Sequence, residues 1–579
     1  MMNPAMRSNE DSLSFLHGGN KDFGVQQRVK AFVSRCKLKQ MHLELIMRRV
    51  DNRKQLIQIA IAAGLAFLAL ISLILASNTH SSSTSPAKAS SASASQETAS
   101  FKSACGGVRL NPHNIQAPVE PDIDRIKSVW PSIRAALNDN ADLPVKLERP
   151  SFHSRLDVHG LRERTGLLNE TQAAQLRDQH ASFVGNLTEY PVETFNGRGI
   201  VVLAGGVYSE YAAISLGMLR ESGSTLPVEV WVRDEREEKH GWCPELEAEG
   251  MACRRLSDYL GMDLLKLKDG KEMKVFAMLF SSFEEIVLID ADNLPLQPPE
   301  KLFESEEYRE TGALLWPDLW RNDNVDWIEY ITGISDSRSE ALWNQTSFES
   351  GQITWDKKRH WKSLLLAVYY NYLGPPMYYT LLNSGQAGWG DKDTFPLALR
   401  ALNEPFTAIS FRVQTAWHHA QKDNKIMGLL QMAPASQTPN DPEGRGTAVF
   451  LHSTNVKWSH RDFLCIRCLP IWPSESPTDP FVSRYEDPLE ELSSQLSSNV
   501  RILDEDMFQY MPPGLPDAEI RIWRTMEHAA CRSPAWRHHN ACAIGRGYMQ
   551  KTFGFGFDPD GEGEFVPRME DPTCLIDPP

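Results

Sequence analysis

Basic charge is in deficit in this chain. Sixty Lys and Arg stand against 75 Asp and Glu, a formal net charge of −15, and an acidic surface repels a phosphate backbone, which argues against nucleic acid as a partner. Charge of either sign is missing altogether from residues 56–76, and Lys and Arg are missing again from 77 to 87. Cysteine is nearly absent from the N-terminal part: Cys36 stands alone there, while the other eight of nine follow residue 76. No second CxxC accompanies Cys465 and Cys468, and no thioredoxin-like context surrounds them, which removes the usual zinc and redox readings. No internal repeat of solenoid or propeller period is present.

What is there begins with the uncharged run. Residues 56–76 are apolar, with Gln58 near one end as the only strongly polar side chain, and about 20 helical residues cross a hydrocarbon core of roughly 30 Å. Arg48, Arg49, Arg53 and Lys54 precede the run, so its N-terminal side is expected to stay cytosolic. It is too long and too far from residue 1 for a cleaved signal peptide. Ser, Ala and Thr dominate 77–104, a composition that buries too little apolar surface to offset chain entropy and predicts a stem. The eight later cysteines make an even set suited to disulfides in an oxidising lumen, with Cys243/Cys253 and Cys531/Cys542 as close-spaced candidates. Asn169, Asn186 and Asn344 open Asn-x-Ser/Thr sequons on the same side, each a candidate glycan acceptor.

At 579 residues the chain exceeds one average domain. From Gly199 the pattern alternates strand and helix. Residues 199–204 and 228–232 are short apolar runs, 208–220 and 274–281 have helical spacing, and Gly205-Gly206 makes a turn. Such alternation predicts an α/β fold with a mostly parallel central sheet, whose ligands sit at the carboxyl ends of the strands. The organisation expected is a cytosolic tail (1–55), a signal anchor (56–76), a stem (77–104), an N-terminal luminal extension (105–198), a catalytic domain (199–470) and a less regular C-terminal extension (471–579).

The sharpest local signal is the apolar strand 286–289 running into Asp290-Ala291-Asp292. Carboxylates two positions apart can converge on one hard cation such as Mn²⁺ or Mg²⁺, which shares its coordination readily with a diphosphate. A phosphatase using a nucleophilic Asp usually follows this pair with Gly-Thr; here Asn293-Leu294-Pro295 follows, which lowers that alternative.

With these blocks, and with 311–318, Glu349-Ser350-Gly351-Gln352, 390–395 and Phe450-Leu451-His452, the chain resembles the fungal Golgi α-1,2 and α-1,3 mannosyltransferases of glycosyltransferase family 71. The likeness spans about 199–457. It implies a GT-A-like nucleotide-sugar-binding domain, a GDP-mannose donor, and Asp290 and Asp292 on metal and nucleotide. It also implies a late His-x-x-x-x-Lys element, with His452 as third metal ligand and Lys457 on the diphosphate. Gly205 and Lys274 are expected at the donor, the latter with a free ammonium reaching hydroxyls or phosphate. Glu349 and Asp391, each close to a glycine in the matching blocks, are the candidate catalytic carboxylates against the reacting sugars. Trp316, Trp320, Trp355 and Trp389 offer flat faces for sugar, although core packing is the more economical reading.

An α-linked donor giving an α-linked product means retention at the anomeric carbon. The acceptor would be a mannose hydroxyl of a glycan or glycoprotein, its choice set by loops at 346–358 and 433–445. The resemblance further implies a single-pass type II Golgi membrane protein, able to join a Golgi enzyme complex. The rival is a glycan-binding or scaffold protein that keeps the fold without turnover.

Overall fold

The structure, a computed structural model, describes residues 115–116, 120–148, 167–321, 327–334, 346–383, 389–417, 426–438, 441, 444–454, 457–459, 503, 505–512, 517–537, 542, 545–549, 553, 555–556 and 566–567. The expected anchor (56–76), stem, Asn344 and Cys465/Cys468 lie outside them. Among the described residues no helix is long and apolar enough to cross a membrane.

The elements used below are α1 (Trp130–Asp139), α2 (Glu170–Gly185), β1 (Arg198–Leu203), α3 (Tyr208–Glu221), β2 (Val228–Val232), β3 (Met251–Arg255), α4 (Gly270–Phe280), β4 (Glu285–Asp290), β5 (Asn293–Pro295), β6 (Ala313–Arg321), β7 (Thr346–Asp356), α5 (Trp361–Tyr372), α6 (Thr394–Ala401), β8 (Thr407–Ala408), β9 (Gln414–Trp417), β10 (Ile426–Met432), β11 (Ala448–His452) and α7 (Ala518–Cys531). A seven-stranded sheet runs in the order β3-β2-β1-β4-β7-β6-β8. All pairs are parallel except those of β7, which runs antiparallel to β4 and β6. The α/β, mostly parallel reading therefore holds.

Strand alternation divides the core in two. Ile200, Val202, Val228, Val230, Val287 and Ile289 face one side, with α3 and α7. Val201, Trp231, Ile286 and Leu288 face the other, with α1, α2, α4 and α5. Being covered on both faces, β2 and the centre of β4 are unbroken apolar runs apart from Glu229, as buried parallel strands require. Helix α4 starts at a capping box: the Glu272 carboxylate accepts from the Lys268 and Asp269 backbone N–H groups at 2.6 Å, and the Asp269 side chain accepts from Lys271 N at 3.0 Å. From Glu272 to Phe280 it is buried all round.

A second, antiparallel sheet, β5-β11-β10-β9, stands beside the first. The chain passes from β4 directly into β5, so the turn between the sheets holds Ala291 and Asp292. Residues 346–358, expected as an acceptor loop, are instead largely β7, a central strand. Its polar residues Ser347, Ser350, Gln352 and Thr354 suggest exposure, yet all are buried. Trp316 and Trp355 are fully buried, packed edge-on against Phe450 and Phe395, and Trp389 is buried against Tyr379; none of the three is a sugar platform. Cys243 bonds Cys253 and Cys531 bonds Cys542.

Candidate active site

Parallel pairing sets Leu203 of β1 beside Asp290 of β4, so the Gly205 turn and the paired aspartates share one sheet end, as the topology argument expects. Antiparallel pairing of β5 with β11 sets His452 opposite Asn293, and Ser453 N donates to Asp292 O at 3.0 Å. Two strand ends some 160 residues apart are thereby joined. Ligand atoms of Asp290, Asp292 and His452 lie within 4.8 Å of one another.

Two carboxylates and an imidazole on a partly buried strand end are a competent donor set for a divalent cation. The residues fit the group the sequence implies. When bound, such a cation neutralises charge developing on a departing diphosphate. Asp290, Asp292 and His452 would hold it.

Further residues hold these three in place. Asn293, fully buried, donates from Nδ2 to Gly351 O at 2.8 Å and Gln352 Oε1 at 2.7 Å, and its carbonyl accepts from Ser215 at 2.6 Å, which pins the turn to β7 and α3. The Glu349 carboxylate lies 2.6 Å from His452 Nδ1, while His452 Nε2 is 3.3 Å from Asp292. Glu349, expected against the sugars, therefore stands behind the imidazole. Gly351 makes room for it, since a Cβ there would come within 2.5 Å of the His452 ring. Sequence reasoning missed Asn293, Gln352 and Gly351 as supports, although a polar run inside a buried strand was the signal for them.

Lys274 is not free either. Burial of α4 aims its ammonium at the strand end, where Nζ lies 2.9 Å from Asp290 Oδ1, 3.1 Å from Asp391 Oδ2 and 3.0 Å from both Ser350 oxygens. Asp391 is thus paired, and Lys392 beside it reaches Asp318 at 2.7 Å, a buried ion pair that sequence reasoning also missed. Lys457 Nζ bonds the Asp292 carboxylate and donates to Ser453 O at 2.6 Å. Gly205 sits at φ +121°, with Ser209 Oγ 3.1 Å from its N–H.

These charges are interlocked. Burial pushes the Asp290 carboxyl up to about 6, with Lys274 opposing. Burial acts the same way on Asp292, but Lys457 and His452 outweigh it and hold the carboxyl well below its ordinary range. Burial disfavours a charged His452, yet Glu349 and Asp292 raise it to about 10. The carboxylates and the nitrogens around them form a charge-compensated cluster.

Asn169 and Asn186 lie exposed at the two ends of α2, as N-cap and C-cap. Asn169 Oδ1 accepts from Gln172 N at 2.9 Å.

Residues 197–342 and 333–431 match a family model described as "Mannosyltransferase putative". Alpha-1,2-mannosyltransferase MNN22 of Candida albicans is 34% identical over 278 residues, covering 42% of this chain and 47% of that protein. MNN24 of the same organism is 32% identical (41% and 39% covered), and MNN5 of Saccharomyces cerevisiae is 32% identical (46% and 55% covered). The chain spans about half the length of these relatives. Among solved structures, the galactosyltransferase LgtC with donor and acceptor sugar analogs is 11% identical, covers 54% of this chain and all of that one, and has a TM-score of 0.27. That likeness carries no argument, and the fold rests on the sheets themselves. On the family match and the fungal relatives aligned with it, residues 197–431 of the chain are similar to the mannosyltransferase family.

Proposed function

We propose that this chain is a metal-dependent, retaining glycosyltransferase of GT-A-like build that moves mannose from GDP-mannose to a mannose hydroxyl of a glycan. The single observation that carries the reading is the convergence of Asp290, Asp292 and His452 within 4.8 Å at the carboxyl end of β4. The relatives named above are α-1,2 enzymes, which favours α-1,2 over α-1,3 linkage here. Mn²⁺ is the cation best matched to mixed carboxylate and imidazole donors, with Mg²⁺ the alternative. Residues 56–76 would anchor the chain as a type II Golgi membrane protein, and Asn169, Asn186 and Asn344 would carry glycans on the luminal side.

In this reading Asp290, Asp292 and His452 would hold the cation, which would supply charge neutralisation at the departing diphosphate. Lys457 bonds Asp292 of the cluster and is partly exposed, placed to exchange Asp292 for a phosphate oxygen. Lys274, itself held by Ser350, ties Asp290 to Asp391, which presents a preorganised charge pattern to the donor.

The test is donor turnover by the full-length chain with α-mannobiose as acceptor, comparing GDP-mannose with UDP-sugars, with Mn²⁺ or EDTA, beside Asp292→Ala. Metal-dependent mannose transfer that Asp292→Ala abolishes is the expected result. Use of a UDP-sugar instead would overturn the donor assignment. A folded chain that turns over no donor would leave the glycan-binding scaffold reading.

A further inference from the structure

The geometry points to Glu237, the Gly205-Gly206 turn and Tyr208 as the seat of the donor's nucleobase, with the Glu237 carboxylate reading guanine. This rests on the GDP-mannose reading above and adds the part that selects the base.

Gly206 N donates to Glu237 O at 3.0 Å and Tyr208 N to Gly205 O at 3.0 Å, so the turn ties both residues to the end of β1. The Glu237 side chain also lies over the turn: a Cβ on Gly205 would come within 2.6 Å of Glu237 Oε2. Among the described residues the Glu237 carboxylate makes no hydrogen bond or ion pair, although Arg233, Asp234 and Arg236 are its charged neighbours. Val207 and Tyr208 are 63% and 55% exposed, among the few large apolar side chains left open to solvent. An unpaired carboxylate and an exposed aromatic face thus meet at one glycine turn.

Its position suits the base end of a nucleoside diphosphate. The cation cluster lies at the tip of β4, and β1 and β2 follow at successive spacings of about 4.8 Å. With the diphosphate at β4, a nucleoside laid across β1 toward β2 reaches Gly205 and Glu237. A carboxylate only accepts hydrogen bonds. Guanine presents adjacent N1–H and N2–H donors that two carboxylate oxygens take together. Uracil offers one N–H between two carbonyl oxygens, which a carboxylate repels. The Tyr208 ring supplies a face for stacking that any base could use.

The experiment titrates GDP, IDP and UDP into the full-length chain with Mn²⁺ by calorimetry, for wild type, E237Q and Y208A. IDP lacks only the 2-amino group. Wild type is expected to bind GDP about tenfold more tightly than IDP, E237Q to bind the two alike, and Y208A to lose affinity for both by a similar factor. A GDP preference over IDP that persists in E237Q overturns the assignment of Glu237, as does a wild type that treats GDP and IDP alike, and in both cases the GDP-mannose reading stands. A wild type that binds UDP more tightly than GDP removes the donor reading and this inference with it.

Discussion

The Glu349 carboxylate illustrates how one side chain's role follows from what it touches. Held 2.6 Å from His452 Nδ1 and buried, it fixes the imidazole so that Nε2 faces Asp292. A metal-binding histidine backed by a carboxylate is oriented and made more basic by it, and loss of such a partner costs 10–100-fold in metal affinity. Glu349→Gln is therefore expected to weaken Mn²⁺ binding by about that factor, read by manganese paramagnetic resonance. Binding also displaces the proton from His452 Nε2. With His452 raised to about 10, wild type should release about one proton per Mn²⁺ at pH 7, seen as a dependence of binding heat on buffer ionisation. Glu349→Gln with unchanged affinity and proton release would show the carboxylate to be only a core contact. Gly351→Ala provides the steric counterpart. Its Cβ drives into the His452 ring, so Mn²⁺ binding should fall while thermal unfolding stays cooperative.

At the scale of elements, legibility in the sequence tracked how local the stabilising contacts are. Strands β1, β2 and β4 and helices α3 and α4 were readable because their apolar pattern lies within each segment, although α4 begins at Gly270, four residues before the expected Lys274. Strand β7 was not, because Ser347, Glu349, Ser350 and Gln352 find their partners in Asp393, His452, Lys274 and Asn293, all more than 45 residues away. The same distance effect hid half of the site. Asp290 and Asp292 were legible at the end of an apolar run, whereas the supporting set became visible only once β11 paired with β5. Helix α2 adds a contact of the same long-range kind. Its buried His180 stacks on Tyr370 of α5 and lies 2.8 Å from the Tyr370 hydroxyl, and burial lowers it to about 4 from 6.5. The folded chain keeps this imidazole neutral down to about pH 4, while the unfolded chain takes up a proton below about 6.5. Its contribution is thus complete above pH 6.5 and drains away as pH falls toward 4, by about 3 kcal/mol at most. The melting temperature of wild type should fall more steeply over that window than that of His180→Phe. Parallel curves would mean that His180 is protonated within the fold.

Across the whole molecule, the region after residue 470 reads in sequence as an irregular extension, yet it supplies α7, whose inner face is buried against the central core. Arg521 of α7, almost wholly buried, donates to Leu296 O at 3.0 Å, one residue past β5, the strand that follows the Asp292 turn. The contact with α3 depends on Gly217, where an added Cβ would meet Thr525 Cγ2 at 2.2 Å but Thr525 Cβ and Oγ1 only at 3.4 and 3.5 Å. A clash with a single methyl group gives a sign-changing test. Alanine is worth about 0.5–1 kcal/mol over glycine inside a helix, but overpacking a closed interface costs about 1–3 kcal/mol. Gly217→Ala alone should therefore lower stability. Thr525→Ser removes the offending methyl and keeps the hydroxyl that donates to Arg521 O at 3.0 Å. In that background Gly217→Ala should become neutral or stabilising. Denaturant unfolding of the four chains of this cycle measures the coupling. Additive effects would mean that α7 does not pack on α3 in solution, and the region after 470 would then be an appendage rather than part of the core that braces the site.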